Sequence, residues 1–296
     1  MRAARVLAQA KLNVWLHVLG PRPDGFHELR TLFHRLDLAD EVTIRVSDGP
    51  SRAIDVSGPH VPPEGLGPAT NNLAYRAAVS FHARTGWPRG FEIHVTKNIP
   101  VGGGLGGGSA DAGAILRALN VMAPEPLENE ALQAVAASLG SDVPFLASEY
   151  TAALGDGRGE SLSQGFLALP PADVLLVVPG YSIATADAYR WLRESGRYHR
   201  LPQESSGELQ PYPSIWAAMD EGNTFEPIVE PRYPGLRLYR ERLTQAGATI
   251  ARLSGSGSTV FGLFESTVPD AGSLRLDASV IATRTAKNVV QVEAQE

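Results

Sequence analysis

Six of the seven residues from Gly102 to Gly108 are glycine, inside the segment NIPVGGGLGGGSAD at 98–111. Without Cβ atoms such a run takes positive φ and lets backbone N–H groups lie against a ligand. A strand pattern, FEIHVTK at 91–97, leads into it, and a helix pattern with Ala112, Ile115, Leu116 and Leu119 on one stripe leads out. A helix starting there presents unpaired N–H groups and a positive dipole end, which together seat phosphate. The expected chemistry is polyphosphate binding by Pro100, Val101, Gly102, Gly103, Gly104, Leu105, Gly106, Gly107, Gly108, Ser109 and Ala110. Ser109 suits the helix cap and can also approach a phosphate-bound Mg²⁺, and Asp111 in the first turn suits the dipole.

Two better-known phosphate motifs do not fit. A Walker A loop needs Lys-Ser or Lys-Thr after its last glycine, whereas Gly108 is followed by Ser109 and Ala110. Gly102-x-Gly104-x-x-Gly107 satisfies the dinucleotide fingerprint, but so dense a glycine run makes that match nearly automatic. The fingerprint also wants an acid at a strand end about 20 residues on, and Glu125 and Glu128 fall in a proline-bearing turn. A flexible linker would not join a regular strand directly to a well-patterned helix.

Acid–base groups come next. Lys11 and Asn13 stand two apart in a strand pattern and therefore share a face; an edge-strand lysine facing water is the alternative for Lys11. Asp142, in Ser141-Asp142-Val143-Pro144, reads as a capping residue ahead of a proline near the first turn of a new helix. It follows a helix pattern at 127–139 that stops at Gly140, a residue type suited to the left-handed position after a helix. The loop Ser254-Gly255-Ser256-Gly257-Ser258-Thr259 sits between two apolar strand patterns; alone it is a hairpin turn.

The elements positioning these groups are mixed. Residues 42–47 alternate like a half-buried strand, and 72–84 place Leu73, Ala77 and Phe81 at helical spacing. From 150 onward short strands, a helix from Thr185, a polar proline-bearing loop at 197–213 and a helix around 235–246 follow one another without steady βαβ alternation. The expectation is an α+β protein of two domains, 1–160 and 161–296. A formal charge of −6 gives no basic footprint for nucleic acid, and the absence of cysteine removes thiol chemistry and fits a reducing compartment. Gln9, Lys11 and Asn13 interrupt the N-terminal apolar stretch, and no run has membrane-spanning length, so a soluble, cytoplasmic protein is expected.

Three segments together resemble the motifs of the GHMP kinases: AKLNVWLHVLGPRPDGFHELRTLFHRLDLAD at 10–40, NIPVGGGLGGGSADAG at 98–113 and ARLSGSGSTVFGLF at 251–264. The run Pro23-Asp24-Gly25-Phe26-His27-Glu28-Leu29 is similar to the diphosphocytidyl-methylerythritol branch more than to the homoserine, mevalonate or galactose branches. TNNLAYRAA (70–78), LGSDVPF (139–145), ALGDGRGESL (153–162), ATADAYRWL (184–192) and NTFEPIVE (223–230) extend the likeness over nearly the whole chain.

The resemblance implies a ribosomal-protein-type N-terminal α+β domain, a ferredoxin-like C-terminal one and an active site between them. It implies transfer of the γ-phosphoryl of ATP, with Mg²⁺, to the 2-hydroxyl of the methylerythritol moiety, in the non-mevalonate isoprenoid pathway. By the same likeness Asp142 and Lys11 are catalytic, and Asn13, Phe26, His27, Thr185, Tyr189, Gly255, Ser256 and Gly257 bind the substrate, a cytidine diphosphate derivative. Most relatives carry tyrosine where this chain has Phe26, which keeps a stacking face and loses a hydroxyl. Asn72 and Lys97 flank the expected adenosine half, although a helix cap and a surface lysine explain them equally well. No metal ligand is assigned, no nucleic acid or membrane partner is expected, and monomer or homodimer is left open. Another GHMP enzyme, or a binding module that kept the fold and lost the chemistry, is the competing reading. Acidity and the Lys11–Asp142 pair argue against the second.

Overall fold

The computed structural model describes residues 2–164, 171–200 and 221–295. Most of the loop expected at 197–213 therefore lies outside the described residues. The first sheet grows from a long hairpin, β1 (Ala3–Pro21) and β2 (His27–Ser47). Its tip is the Pro-Asp-Gly turn: Gly25 is at φ +85°, and the Asp24 carboxylate accepts from the Phe26 N–H at 3.1 Å. Glycine at that corner avoids the Cβ penalty of a positive φ. Register shifts between Gln9 and Lys11 and between Asn13 and Trp15 break the β1–β2 ladder. Bulges of this kind re-aim side chains, and these flank Lys11 and Asn13.

β3 (Arg52–Ser57) and β4 (Gly90–Thr96) extend the outer half of β2, while β5 (Ala152–Asp156) and β6 (Ser161–Ser163) extend its inner half. α1 (Leu73–Thr85), α2 (Gly107–Met122), α3 (Asn129–Leu139) and α4 (Val143–Ala147) join this sheet's core, burying Phe81, Ile115, Leu119, Leu132 and Phe145 with Leu12, Ile44 and Ile93. Gly140, expected in the left-handed region, is at φ 171°, extended backbone open to any residue. The chain turns there into α4 instead of closing a left-handed cap.

A second, antiparallel sheet has the order β10-β7-β9-β8, formed by β7 (Asp173–Val178), β8 (Ile250–Leu253), β9 (Val260–Phe264) and β10 (Ser279–Arg284). α5 (Thr185–Ser195), α6 (Glu226–Val229) and α7 (Pro234–Gln245) lie between β7 and β8 in the chain. Leu175, Val177 and Phe264 pack with Leu192, Leu236 and Leu243, whereas Val174, Leu176, Phe261 and Leu263 belong to the first core. Both faces of this sheet are covered, which is why VLLVV and VFGLF read as unbroken apolar runs. A last strand, β11 (Glu293–Gln295), returns to β1. The class is α+β, as the patterning implied. No helix among the described residues is long and apolar enough to cross a membrane.

Candidate active site

A cleft of about 500 Å³ lies between the β1–β2 hairpin, the glycine loop, the start of α4 and the loop joining β8 to β9. Lys11 and Asn13 enter its floor from β1, both buried. Lys11 Nζ donates to Asn13 Oδ1 at 2.6 Å and stands 3.2 Å from Asp142 Oδ2. Asn13 Nδ2 donates to Thr31 Oγ1 at 2.9 Å, and that hydroxyl donates to the Trp15 carbonyl at 2.6 Å. The lysine is thus fixed by a satisfied chain of hydrogen bonds and is not an edge residue in water. The Asp142 side chain makes no capping hydrogen bond to α4 and is 30% exposed beside the lysine, so the N-cap alternative finds no bond in the geometry.

Two features hold α4, and with it Asp142. A Cβ at Gly113 would stand 2.5 Å from the Leu146 backbone, so glycine lets α2 and α4 touch at main-chain distance. Arg35, fully buried, donates from Nη2 to the carbonyls of Phe145 and Ser148 at 2.8 and 2.9 Å and from Nε to Tyr150 O at 2.9 Å, binding together the carbonyls at and just beyond the end of α4. Burial, with help from Arg117, pulls its pKa down to about 9, which leaves it cationic at neutral pH.

Most of the proposed phosphate residues line the cleft, from Pro100 to Ser109; Ala110 is buried behind them. Gly102, Gly104 and Gly106 are at φ +75°, +78° and +72°. Their small size serves the protein's own packing as well as a ligand. A Cβ would fall 2.5 Å from Thr259 Oγ1 at Gly103, 2.2 Å from Ser254 O at Gly104 and 2.9 Å from the Lys11 Cγ at Gly106. Across that contact Thr259 N donates to Gly103 O at 3.1 Å and Ser254 Oγ to Gly104 O at 2.9 Å. The N-cap of α2 is Gly106, without a side-chain cap, so Ser109 lies inside the first turn facing the cleft and does not cap the helix.

Asp111 and Lys97 also depart from expectation. Lys97 is buried, not a surface residue, and its ammonium contacts the carboxylates of both Asp40 and Asp111, the latter at 2.7 Å. Asp111 therefore meets a cation instead of the helix dipole. Burial pushes its pKa up to about 7 against the pull of Lys97, and its Oδ1 is buried without a hydrogen-bond partner. Burial draws the Lys97 ammonium down, and Asp111 and Asp40 more than offset this. Asn72 caps α1 through Ala74 N at 2.9 Å while also lining the cleft.

At the far end Thr185 Oγ1 is 3.2 Å from Ser256 Oγ, and Gly255 and Ser256 line the wall. Gly257 does not; it packs towards Leu253 and Ile183. Tyr189 lines the cleft, its ring 4.7 Å from that of His27 and edge-on to Phe225 at 4.9 Å. His27 and Phe26 stand at the rim. Phe26 is 50% exposed beneath the Arg158 guanidinium, 4.7 Å from its ring centroid. His27 Nε2 is buried without a hydrogen-bond partner, and burial with Arg193 nearby lowers the pKa of the ring. Burial raises the Tyr189 phenol well above its usual range.

Sequence reasoning missed Thr31, Arg35, Arg158 and Asn223 as individual residues. The Asn223 side-chain amide donates to Leu253 O and Gly255 O at 2.8 and 2.7 Å and accepts from Phe225 N at 2.9 Å, clamping the β8–β9 loop. Among the described residues no cluster of three or more metal-binding side chains converges. The Ser109 hydroxyl and the orphaned Asp111 Oδ1 are hard oxygens on the same wall, of the kind that complements phosphate oxygens around Mg²⁺.

Residues 72–149 match the GHMP kinases N terminal domain and residues 213–278 the GHMP kinases C terminal domain. The chain is 40% identical to a 4-diphosphocytidyl-2-C-methyl-D-erythritol kinase of Geobacter metallireducens, over 90% of this chain and 91% of that one. It is 42% identical to the same kinase of an Anaeromyxobacter species, strain K, over 94% and 85% of the two chains. A crystal structure of a 4-(cytidine 5'-diphospho)-2C-methyl-D-erythritol kinase superposes with a TM-score of 0.71 at 35% identity, covering 95% of this chain and 99% of that one. The homoserine kinase of Cytophaga hutchinsonii shares the fold, with a TM-score of 0.68 at 20% identity over 99% and 97% of the chains.

Proposed function

The chain belongs to the 4-diphosphocytidyl-2-C-methyl-D-erythritol kinase family of GHMP kinases, and on that premise we propose that it transfers the γ-phosphoryl group of ATP to the 2-hydroxyl of that substrate, as a step of the non-mevalonate route to isoprenoids. The observation that carries this reading is the Lys11–Asp142 pair, 3.2 Å apart and directly beside the glycine loop.

The glycine-loop N–H groups and the N-terminus of α2 seat the phosphates. Ser109, with Asp111 behind it, would hold Mg²⁺, which would supply positive charge against that of the phosphates. Asp142 takes or orients the proton of the attacking hydroxyl as its oxygen forms a bond to the γ-phosphorus and the bond to the β–γ bridging oxygen breaks. Lys11, steadied by Asn13, offsets charge on the transferred group. ADP leaves and the proton passes from Asp142 to water. Phe26, His27, Thr185 and Tyr189 meet the cytidine end, with Gly255 and Ser256 along the diphosphate. We further assign residues 1–160 to an N-terminal ATP-binding GHMP domain and 161–296 to the C-terminal GHMP domain, in a cytoplasmic protein.

ADP release from Mg-ATP is measured with a panel of 4-diphosphocytidyl-methylerythritol, homoserine, mevalonate and galactose. Turnover confined to the cytidine substrate is expected; turnover with another alcohol overturns the substrate assignment. Asp142→Asn is expected to lower kcat by ~10² or more with ATP affinity kept, and near-normal turnover would return Asp142 to the start of a helix.

A further inference from the structure

β2 supplies the backbone partner of β4 only as far as Glu41, opposite Thr96. Lys97 N still donates to Ser57 O at 2.7 Å, but Asn98 and Ile99 after it need acceptors for their N–H groups that β2 no longer supplies. Asp40, fully buried, takes the place of the missing ladder: its Oδ1 accepts from Asn98 N at 2.6 Å and Ile99 N at 2.7 Å. Asn98 Nδ2 adds a bond to the Ala39 carbonyl at 3.1 Å. The other oxygen of Asp40 holds the Lys97 ammonium, which reaches across to Asp111 in α2. One carboxylate therefore fixes both ends of the glycine loop, the residues that start it directly and the helix that ends it through Lys97.

Between those ends the loop has little shape of its own, because glycine at 102, 104 and 106 carries few backbone preferences. Its course is set by its anchors. Lys97, Ile99 and Asp111 line the cleft, whereas Asp40 lies behind them and does not.

We propose that Asp40 is a positioning residue for the nucleotide half of the site: its carboxylate replaces the sheet ladder at Asn98 and Ile99 and, through Lys97 and Asp111, sets the distance between the end of β4 and the start of α2 across which the phosphates lie. This rests on the reading that the glycine loop seats ATP. The cytidine end, at Tyr189, His27 and Arg158, makes no contact with Asp40, so loss of the carboxylate divides the two halves of the site.

Calorimetric titration with Mg-ATP and, separately, with CDP tests this on the wild-type chain, Asp40→Asn and Asp40→Ala, with thermal unfolding alongside. Asp40→Asn keeps an acceptor for the two N–H groups and removes the charge facing Lys97; Asp40→Ala removes both. Affinity for Mg-ATP is expected to fall about tenfold in the first and further in the second, and CDP affinity to stay within about twofold in both. If Asp40→Ala does not fold, the near-isosteric Asp40→Asn carries the test. A lowered Tm with unchanged ATP affinity would make Asp40 a stability residue only, and a parallel loss of ATP and CDP binding would mark a general loosening; either overturns the proposal. Failure of the wild-type chain itself to bind Mg-ATP would instead overturn the reading of the glycine loop, and this inference with it.

Discussion

Gly104→Ala should open the contact between the glycine loop and the β8–β9 loop, and the size of the effect follows from the geometry. The new Cβ would stand 2.2 Å from Ser254 O and 3.0 Å from Gly257 O. Both are backbone atoms, so no rotamer change relieves the overlap. Gly104 is at φ +78°, where an L-residue costs roughly 1–2 kcal/mol. Separating the loops also breaks the bonds from Thr259 N to Gly103 O and from Ser254 Oγ to Gly104 O, about 1 kcal/mol each. The sum is about 3–4 kcal/mol, a large share of the roughly 5–15 kcal/mol that holds a domain together. Misplacing the loop by an ångström should also lower turnover by ~10². Urea unfolding reads the first figure and ADP formation the second. Gly108→Ala is the control. Its Cβ meets only Leu73 Cδ1 at 3.7 Å, and it is the second residue of α2, where alanine should gain roughly 0.5–1 kcal/mol. A Gly104→Ala chain as stable and as active as the wild type, or equal effects at the two glycines, would refute the argument that these residues are small for each other's sake.

Gly113→Ala forces α2 and α4 apart against the Leu146 backbone at 2.5 Å, and should destabilise the chain by roughly 2–3 kcal/mol in urea while lowering kcat more than it raises the KM for ATP, because α4 carries Asp142. Stability should also fall in mild acid. Burial holds the His34 pKa at about 4, against about 6.5 in the unfolded chain, so the unfolded state takes the proton first. The stability is whole above pH 6.5 and declines as pH falls towards 4, by about 3 kcal/mol from this group. His34→Gln should flatten the slope of unfolding free energy against pH in that window; an unchanged slope would remove His34 from the account.

The glycine run, Lys11 and Asn13 were legible because each breaks a local rule, glycine beyond any turn's need and polar side chains inside an apolar strand, whereas Asp142, at the start of a helix, stood out only through the likeness of LGSDVPF to the family. Strand and helix types at 42–47, 72–84, 91–97 and 109–122 followed from period, although α2 begins two residues earlier than its apolar stripe, since glycines carry no stripe. The full length of the β1–β2 hairpin was not legible, because Arg35 and Asp40 interrupt its alternation, and only the structure pairs them with α4 carbonyls and the loop N–H groups. Lys97 and Asp111 looked like a surface lysine and a dipole partner for the same reason. A buried ion pair between residues 14 apart leaves no periodic trace. Asn223 and Arg158 belonged to recognisable segments, but their individual contacts depend on where distant carbonyls and rings fall.

The bonds joining Gly103 and Gly104 to Ser254 and Thr259 tie the middle of the chain to a segment about 150 residues later. For a chain leaving the ribosome, Thr259 follows Lys11 by 248 residues. At ~5–20 residues per second, roughly 12–50 s separate them. Until that interval ends the glycine loop has no opposite wall, and a nascent chain that has already paired β1 to β6 still lacks the cleft. Synthesis and competence are thereby separated in time, and the nucleotide loop waits on the last strands to be made.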